Sequence, residues 1–144
     1  MSVNTKLPRL ARSLSIAATL GLVLGAGQSL AVKVGIMLPL TGASSVSGIA
    51  AQQGYQLAID EINASGGVLG KPLQAVFEDD ASAPATAISA FTKLYTVDKV
   101  DFFAGGFASG NVIAIQGVAR QNNAFLTIVG AAAIPVEDAY ANYP

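Results

Sequence analysis

The sequence predicts an α/β fold, a parallel sheet flanked by helices, and three observations carry that expectation. Four apolar runs too short for helices recur at 32–38, 73–78, 100–104 and 125–129. Stretches with the apolar period of an amphipathic helix separate them. The links between the two kinds of element are short and rich in Gly, Ser and Pro, as in folds where helices cross over between parallel strands.

The first strand is "VKVGIML", Val32 to Leu38, stopped by Pro39. The loop "LTGASSVSG" follows, and then the period changes. From Ile49 to Ala64, Ala51, Tyr55, Ala58, Ile59 and Ile62 share one helical face, with Gln52, Gln56, Asp60 and Asn63 turned away. "SGG", Ser65 to Gly67, closes this helix with a left-handed glycine cap. "LQAVFE", Leu73 to Glu78, is the second strand, and Asp79 and Asp80 follow it. Pro84 suits the first turn of a second helix, with Ala87, Ile88, Phe91, Leu94 and Tyr95 as its apolar stripe. "VDFFA", Val100 to Ala104, is the third strand. Next, "FFAGGFASGN" sets Gly105, Gly106 and Gly110 around Ser109, ahead of a helix from about Asn111 to Gln121. "FLTIV", Phe125 to Val129, is the fourth strand.

Composition removes several chemistries. The chain has 144 residues, a net charge of −1 and neither Cys nor His. Disulfides, thiol nucleophiles, Ser–His triads and ordinary zinc sites are therefore excluded, and no metal site or cofactor is expected. No block of Lys or Arg suggests nucleic acid. The amino terminus reads differently from the rest. Lys6, Arg9 and Arg12 precede the apolar stretch Leu14 to Leu24, and "SLA", Ser29 to Ala31, supplies small residues for cleavage. This is the pattern of a secretory signal over residues 1–31, and its apolar core is shorter than the ~20 residues of a membrane span. A soluble product outside the cytoplasm is expected, leaving 32–144 as one domain. "GLVLGAG" resembles a nucleotide loop but lies inside this signal.

In a parallel sheet every loop that follows a strand lies along one edge, and ligands bind there, where strand order reverses. The 40–48 loop, Asp79-Asp80, the 105–111 loop and "GAAA" from Gly130 converge on that edge. Ser109 has two readings, an N-cap of its helix or a ligand contact beside free N–H groups. Ser47, placed before the first helix, has the same two. Asp79-Asp80 reads as exposed carboxylates starting a helix rather than as a metal or phospho-acceptor site. "NAS" at 63–65 matches a glycosylation acceptor but forms a helix end.

Together, "VKVGIMLPLTGASSVSGIAAQQGYQLAIDEINASGGVLGKPLQAVFEDDASAP", "FFAGGFASG" and "GAAAIP" resemble the start of periplasmic substrate-binding proteins of branched-chain amino-acid ABC transporters. The likeness covers nearly all of residues 32–135. It implies the first lobe of a type I periplasmic-binding fold, leucine-binding-protein-like, with the flavodoxin-like strand order 2-1-3-4. In such proteins a serine after the third strand holds the ligand's carboxylate, helped by N–H groups of the following helix. Ser109 matches that serine, with Gly110 and Asn111 at the helix start. A threonine after the fourth strand commonly takes part, and here Ala132 or Ala133 stands in its place without a hydroxyl. Ser47 matches a position lining the ligand's apolar end.

Relatives of this kind are far longer, with a second lobe, hinge strands and a returning segment. The resemblance therefore implies an incomplete, truncated form, expected to bind weakly alone and to aggregate readily. In its full form it implies a periplasmic, non-enzymatic component of amino-acid import, with a membrane permease and an ATPase as partners. The alternative is a ligand-sensing domain of the same fold in a receptor or an amide-responsive regulator.

Overall fold

The run Val32–Leu38 forms strand β1, and its lack of polar residues beyond Lys33 is explained by its place. In the computed structural model, which describes residues 30–132, β1 lies inside a four-stranded sheet and is paired on both sides. The other elements are α1 (Ser45–Ala64), β2 (Leu73–Asp79), α2 (Pro84–Lys93), β3 (Phe102–Gly105), α3 (Ser109–Gln121) and β4 (Leu126–Ile128), with a π-helical turn, Leu94–Asp98, continuing α2. All strands are parallel in the order β2-β1-β3-β4, as the sequence led us to expect. The order reverses between the neighbours of β1, which places the switch point at the carboxyl ends of β1 and β3.

Alternation along β1 divides its side chains between two cores. Met37 joins Phe91, Leu94, Phe103, Ile115 and Leu126 beneath α2 and α3, where the Phe91 and Phe103 rings stack with centroids 4.5 Å apart. Ile36 and Leu38 join Ile59, Ala104, Tyr55 and Phe77 beneath α1. Gly35 lets the end of α2 approach the sheet, since a Cβ there would meet the Leu94 and Val100 side chains at 3.0 and 2.9 Å.

Helix α1 ends as its "SGG" predicts. Gly66 and Gly67 take positive φ, and their N–H groups donate to the Asn63 and Ile62 carbonyls, closing a Schellman motif. Several features differ from the sequence reading, among them a shorter β4 and an α3 that starts at Ser109. Asn63 does not simply face away: its side chain accepts from the Leu73 N–H (2.7 Å) and donates to the Leu73 carbonyl (2.8 Å), pinning the start of β2. Strand β3 begins at Phe102, because Asp101 accepts from the Lys33 N–H and Val100 bonds back to Leu94. Helix α1 begins at Ser45, four residues earlier than its apolar period shows, because its first turn carries two serines, a glycine and an exposed Val46 and so has no apolar stripe.

Candidate functional site

Two of the three glycines around Ser109 are required by the backbone. Gly105 has φ +111°, and a Cβ there would lie 2.0 Å from the Met37 carbonyl oxygen of the paired strand. Gly106 has φ +74° and would place a Cβ 2.6 Å from Val112. Gly110 is different, for nothing lies within 4 Å of a Cβ built there. Its smallness is required by no packing among the described residues, and it leaves open space over the first turn of α3.

Ser109 is not a cap. Ala108 occupies the N-cap position of α3, no side chain caps the helix, and Ser109 is its first residue. The Ser109 Oγ instead accepts the Ala132 N–H at 3.3 Å. This bond links the loops that follow β3 and β4. The Asn111 N–H already donates to the Ala108 carbonyl at 3.0 Å, so the open amides of the first turn belong to Ser109 and Gly110. The Asn111 side chain is 2% exposed, and its Nδ2 has no hydrogen-bond partner among the described residues.

The loop after β1 is held by an acidic residue. Asp79 Oδ1 accepts from the N–H groups of Leu40 (2.9 Å), Thr41 (3.1 Å) and Ala81 (2.8 Å), and Oδ2 accepts from the Thr41 hydroxyl (2.5 Å). Burial pushes this carboxyl up, but the Thr41 hydroxyl and the three N–H donors together outweigh it and hold it below the ordinary value. Asp80 is 1% exposed and accepts from the Ser82 N–H. The expectation of exposed carboxylates opening α2 is therefore overturned. Asp79 reaches back to the loop after β1 and Asp80 accepts a loop amide two residues ahead, while α2 opens on Ala83 and Pro84 without a side-chain cap. A threonine three residues past a strand, with an aspartate ending the neighbouring strand, was the available signal for this latch.

The structure brings Ser109, Gly110 and Ala132 together at the switch point. Ser47 is placed apart from its expected position: it lies within the first turn of α1, exposed, and not in the preceding loop. Ala133 lies outside the described residues. Tyr55, read only as core, reaches the edge from α1, where burial raises its hydroxyl's pKa and the Gly105 backbone draws it partly back. Two surface hollows, of about 400 and 230 Å³, lie at the end of α1 (Ala58, Ile62, Gly67) and on the outer face of α3 (Ile113, Gly117, Arg120). Neither includes a residue of this edge. Among the described residues no cluster of acidic side chains could hold a metal ion.

Chemically, the start of α3 offers uncharged hydrogen-bond donors at the positive end of a helix, suited to an anion. Comparison with known proteins agrees with the architecture. Residues 31–143 match the periplasmic binding protein family. The chain is 34% identical over 95 residues to the Leu/Ile/Val-binding protein BraC3 of Rhizobium johnstonii, covering 66% of this chain and 26% of that protein. It is 38% identical over 91 residues to Leu/Ile/Val-binding protein homolog 1 of Brucella abortus, covering 63% and 24%. Among solved structures, the branched-chain amino-acid substrate-binding protein LivJ of Streptococcus pneumoniae, in complex with isoleucine, superposes with a TM-score of 0.72 at 34% identity. That match covers 75% of this chain and 31% of LivJ. A putative branched-chain amino-acid ABC transporter protein of Silicibacter pomeroyi gives 0.69 at 31% identity, covering 78% and 28%. The chain thus spans about a quarter of the length of the curated relatives it matches. With the family match spanning residues 31–143, the chain belongs to the periplasmic binding protein family as a leucine-binding-protein-like member.

Proposed function

We propose that residues 32–144 are the first lobe of an extracytoplasmic solute-binding component of an ABC importer, taking branched-chain amino acids or related small carboxylates. The observation that carries this is the start of α3: it is uncapped, it opens on Ser109, and Gly110 leaves the space above it clear. The Ser109 hydroxyl accepts from Ala132, so its own proton is available for a carboxylate oxygen. The amides of Ser109 and Gly110 complete the contact. Asn111 supports it from the buried side, and Ala132 borders it.

In this reading residues 1–31 direct export and are removed, and a second lobe closes over the ligand. Permease and ATPase subunits receive the closed form. The protein binds its ligand without transforming it, for among the described residues no set of acid, base and nucleophile converges on the edge.

The test uses a two-lobed protein that carries residues 32–144 as its first lobe. Calorimetry with leucine, isoleucine, valine and small carboxylates is expected to give micromolar binding to at least one of them. Replacing Ser109 with Ala is expected to weaken that binding by tenfold or more, as loss of a hydrogen bond to a charged group does. Unchanged affinity in that variant would remove Ser109 from the site. Export is checked separately: the product in a Gram-negative periplasm should begin at Val32, and retention of Met1 on a membrane-bound product would refute it.

A further inference from the structure

We infer that in the unprocessed chain its own residues 14–24 dock on the open half of the sheet, across β3 and β4. A helix is about 10 Å wide and strands lie ~4.8 Å apart, so one helix covers two strands. Helices α2 and α3 lie on one face of the sheet, whereas α1 on the other packs against β1 and β2. Room for one helix remains over β3 and β4, floored by Phe102, Phe125, Thr127 and Val129, all exposed. The neighbouring flank of α1 is shaped for an occupant too. Asn63 marks the flank turned to β2, while Ala58, Ile62 and Ser65 lie away from it and line the hollow of about 400 Å³.

The occupant follows from where the described chain starts. The Val32 N–H donates to the Pro72 carbonyl at the amino-terminal end of the sheet, and Val34, two residues on, pairs with Phe102. Whatever precedes Leu30 therefore emerges at the foot of the open face. Residues 25–29, "GAGQS", are a link of ordinary length between a helix and a strand. Residues 14–24, "LSIAATLGLVL", carry no charge, and Ile16, Leu20, Val23 and Leu24 recur at helical spacing. As a helix they would span ~16 Å, against ~13 Å from Phe125 to Val129 along the strand. Lys6, Arg9 and Arg12 would then project past the carboxyl edge of the sheet into water. Residues 133–144 fit the face less well. They follow Ala132 at the opposite end and carry Glu137 and Asp138, charges that an apolar face excludes. A second copy is outcompeted, because a short tether holds the segment at an effective concentration in the millimolar range, far above micromolar protein. Removal of residues 1–31 leaves the face open.

The chain has no cysteine, so an introduced pair reports proximity without interference. Leu20→Cys and Thr127→Cys are combined in the full 144-residue chain, synthesised without membranes so that its amino terminus is retained. Mild oxidation is expected to form an intramolecular disulfide at least about tenfold faster than in the control pair Leu20→Cys, Thr92→Cys. Thr92 is exposed on α2, across the sheet from the proposed seat. Adding Phe125→Lys to the first pair should slow its reaction to the control rate. Should Thr127→Cys disturb the short β4, Leu20→Cys with Phe102→Cys on β3 reads the same contact. Equal rates for the test and control pairs would overturn the inference, as would a rate that Phe125→Lys leaves unchanged. Disulfides formed mainly between chains would also overturn it and assign the face to a second copy.

Discussion

Gly105 and Gly110 stand five residues apart, and the same substitution is expected to act on them in opposite directions. At Gly105 an alanine would need a left-handed backbone and would press its Cβ into the Met37 carbonyl at 2.0 Å. Strain and overpacking together should cost at least ~3 kcal/mol, read as a lowered urea midpoint. At Gly110 the backbone is helical and the space is open, so alanine should stabilise the fold by up to ~1 kcal/mol. It would also fill the space in which a carboxylate approaches the helix start. Gly110→Ala is thus expected to raise stability and lower affinity. Ser109→Ala should leave stability within ~0.5 kcal/mol, because no capping bond is lost and the bond from the Ala132 N–H is long and exposed. A large stability loss in that variant would show that the Ser109 hydroxyl holds the fold, through Ala132 or the helix start, rather than standing open to a ligand.

Between elements, the Asp79 latch joins the end of β2 to the loop ahead of α1. Its carboxyl is held below the ordinary value when folded. Its contribution is therefore complete above the unfolded carboxylate pKa of ~3.9 and is lost as pH falls through the lower folded value. Denaturation followed from about pH 5 down to pH 2 should show the native chain losing more stability than Asp79→Asn, whose side chain does not titrate there. Parallel curves would show that the latch carries no charge-dependent stability. Asp79→Ala, which strands three loop amides, should cost ~2–4 kcal/mol at neutral pH. Asn63→Ala, which frees the start of β2 from α1, should cost ~1–2 kcal/mol, measured the same way.

Across the whole molecule the two faces of the sheet are covered unequally. Helices α2 and α3 lie on one face, while α1 on the other packs against β1 and β2. By the strand registers Phe102 and Thr127 stand on the α1 side beyond its reach, and Phe102 is 48% exposed. Phe125 and Val129, which flank β4 on the same alternation, are 64% and 53% exposed. An apolar surface of this kind next to a strand edge favours association. The processed chain, 32–144, is expected to self-associate at micromolar concentration, and the double variant Phe125→Lys, Val129→Lys should shift sedimentation toward monomer. Unchanged sedimentation would place the contact elsewhere. A ligand held by one lobe alone also stays in contact with water. If a second lobe supplies ~5 kcal/mol, a micromolar site becomes weaker than millimolar without it. Micromolar calorimetric binding by this chain alone would refute that argument.

The order of elements and their parallel arrangement were legible in the residues themselves, because strands and helices bury apolar side chains with different periods. "VKVGIML" has no polar face to show to water after Lys33, and "SGG" can end a helix with positive φ where other residues strain. Contacts between segments distant in the chain were not legible. Nothing local distinguishes an aspartate that opens a helix from one that folds back 39 residues onto Leu40. Nor does sequence separate glycines the backbone requires, Gly105 and Gly106, from Gly110, which packing leaves free. That distinction depends on which atoms the pairing of β1 with β3 and the seating of α3 bring within reach. The same pairing brings Ser109 to Ala132 across 23 residues and leaves the start of α3 without a cap. Local propensity therefore named the elements, and their packing alone decided which of their donors remain open to a ligand.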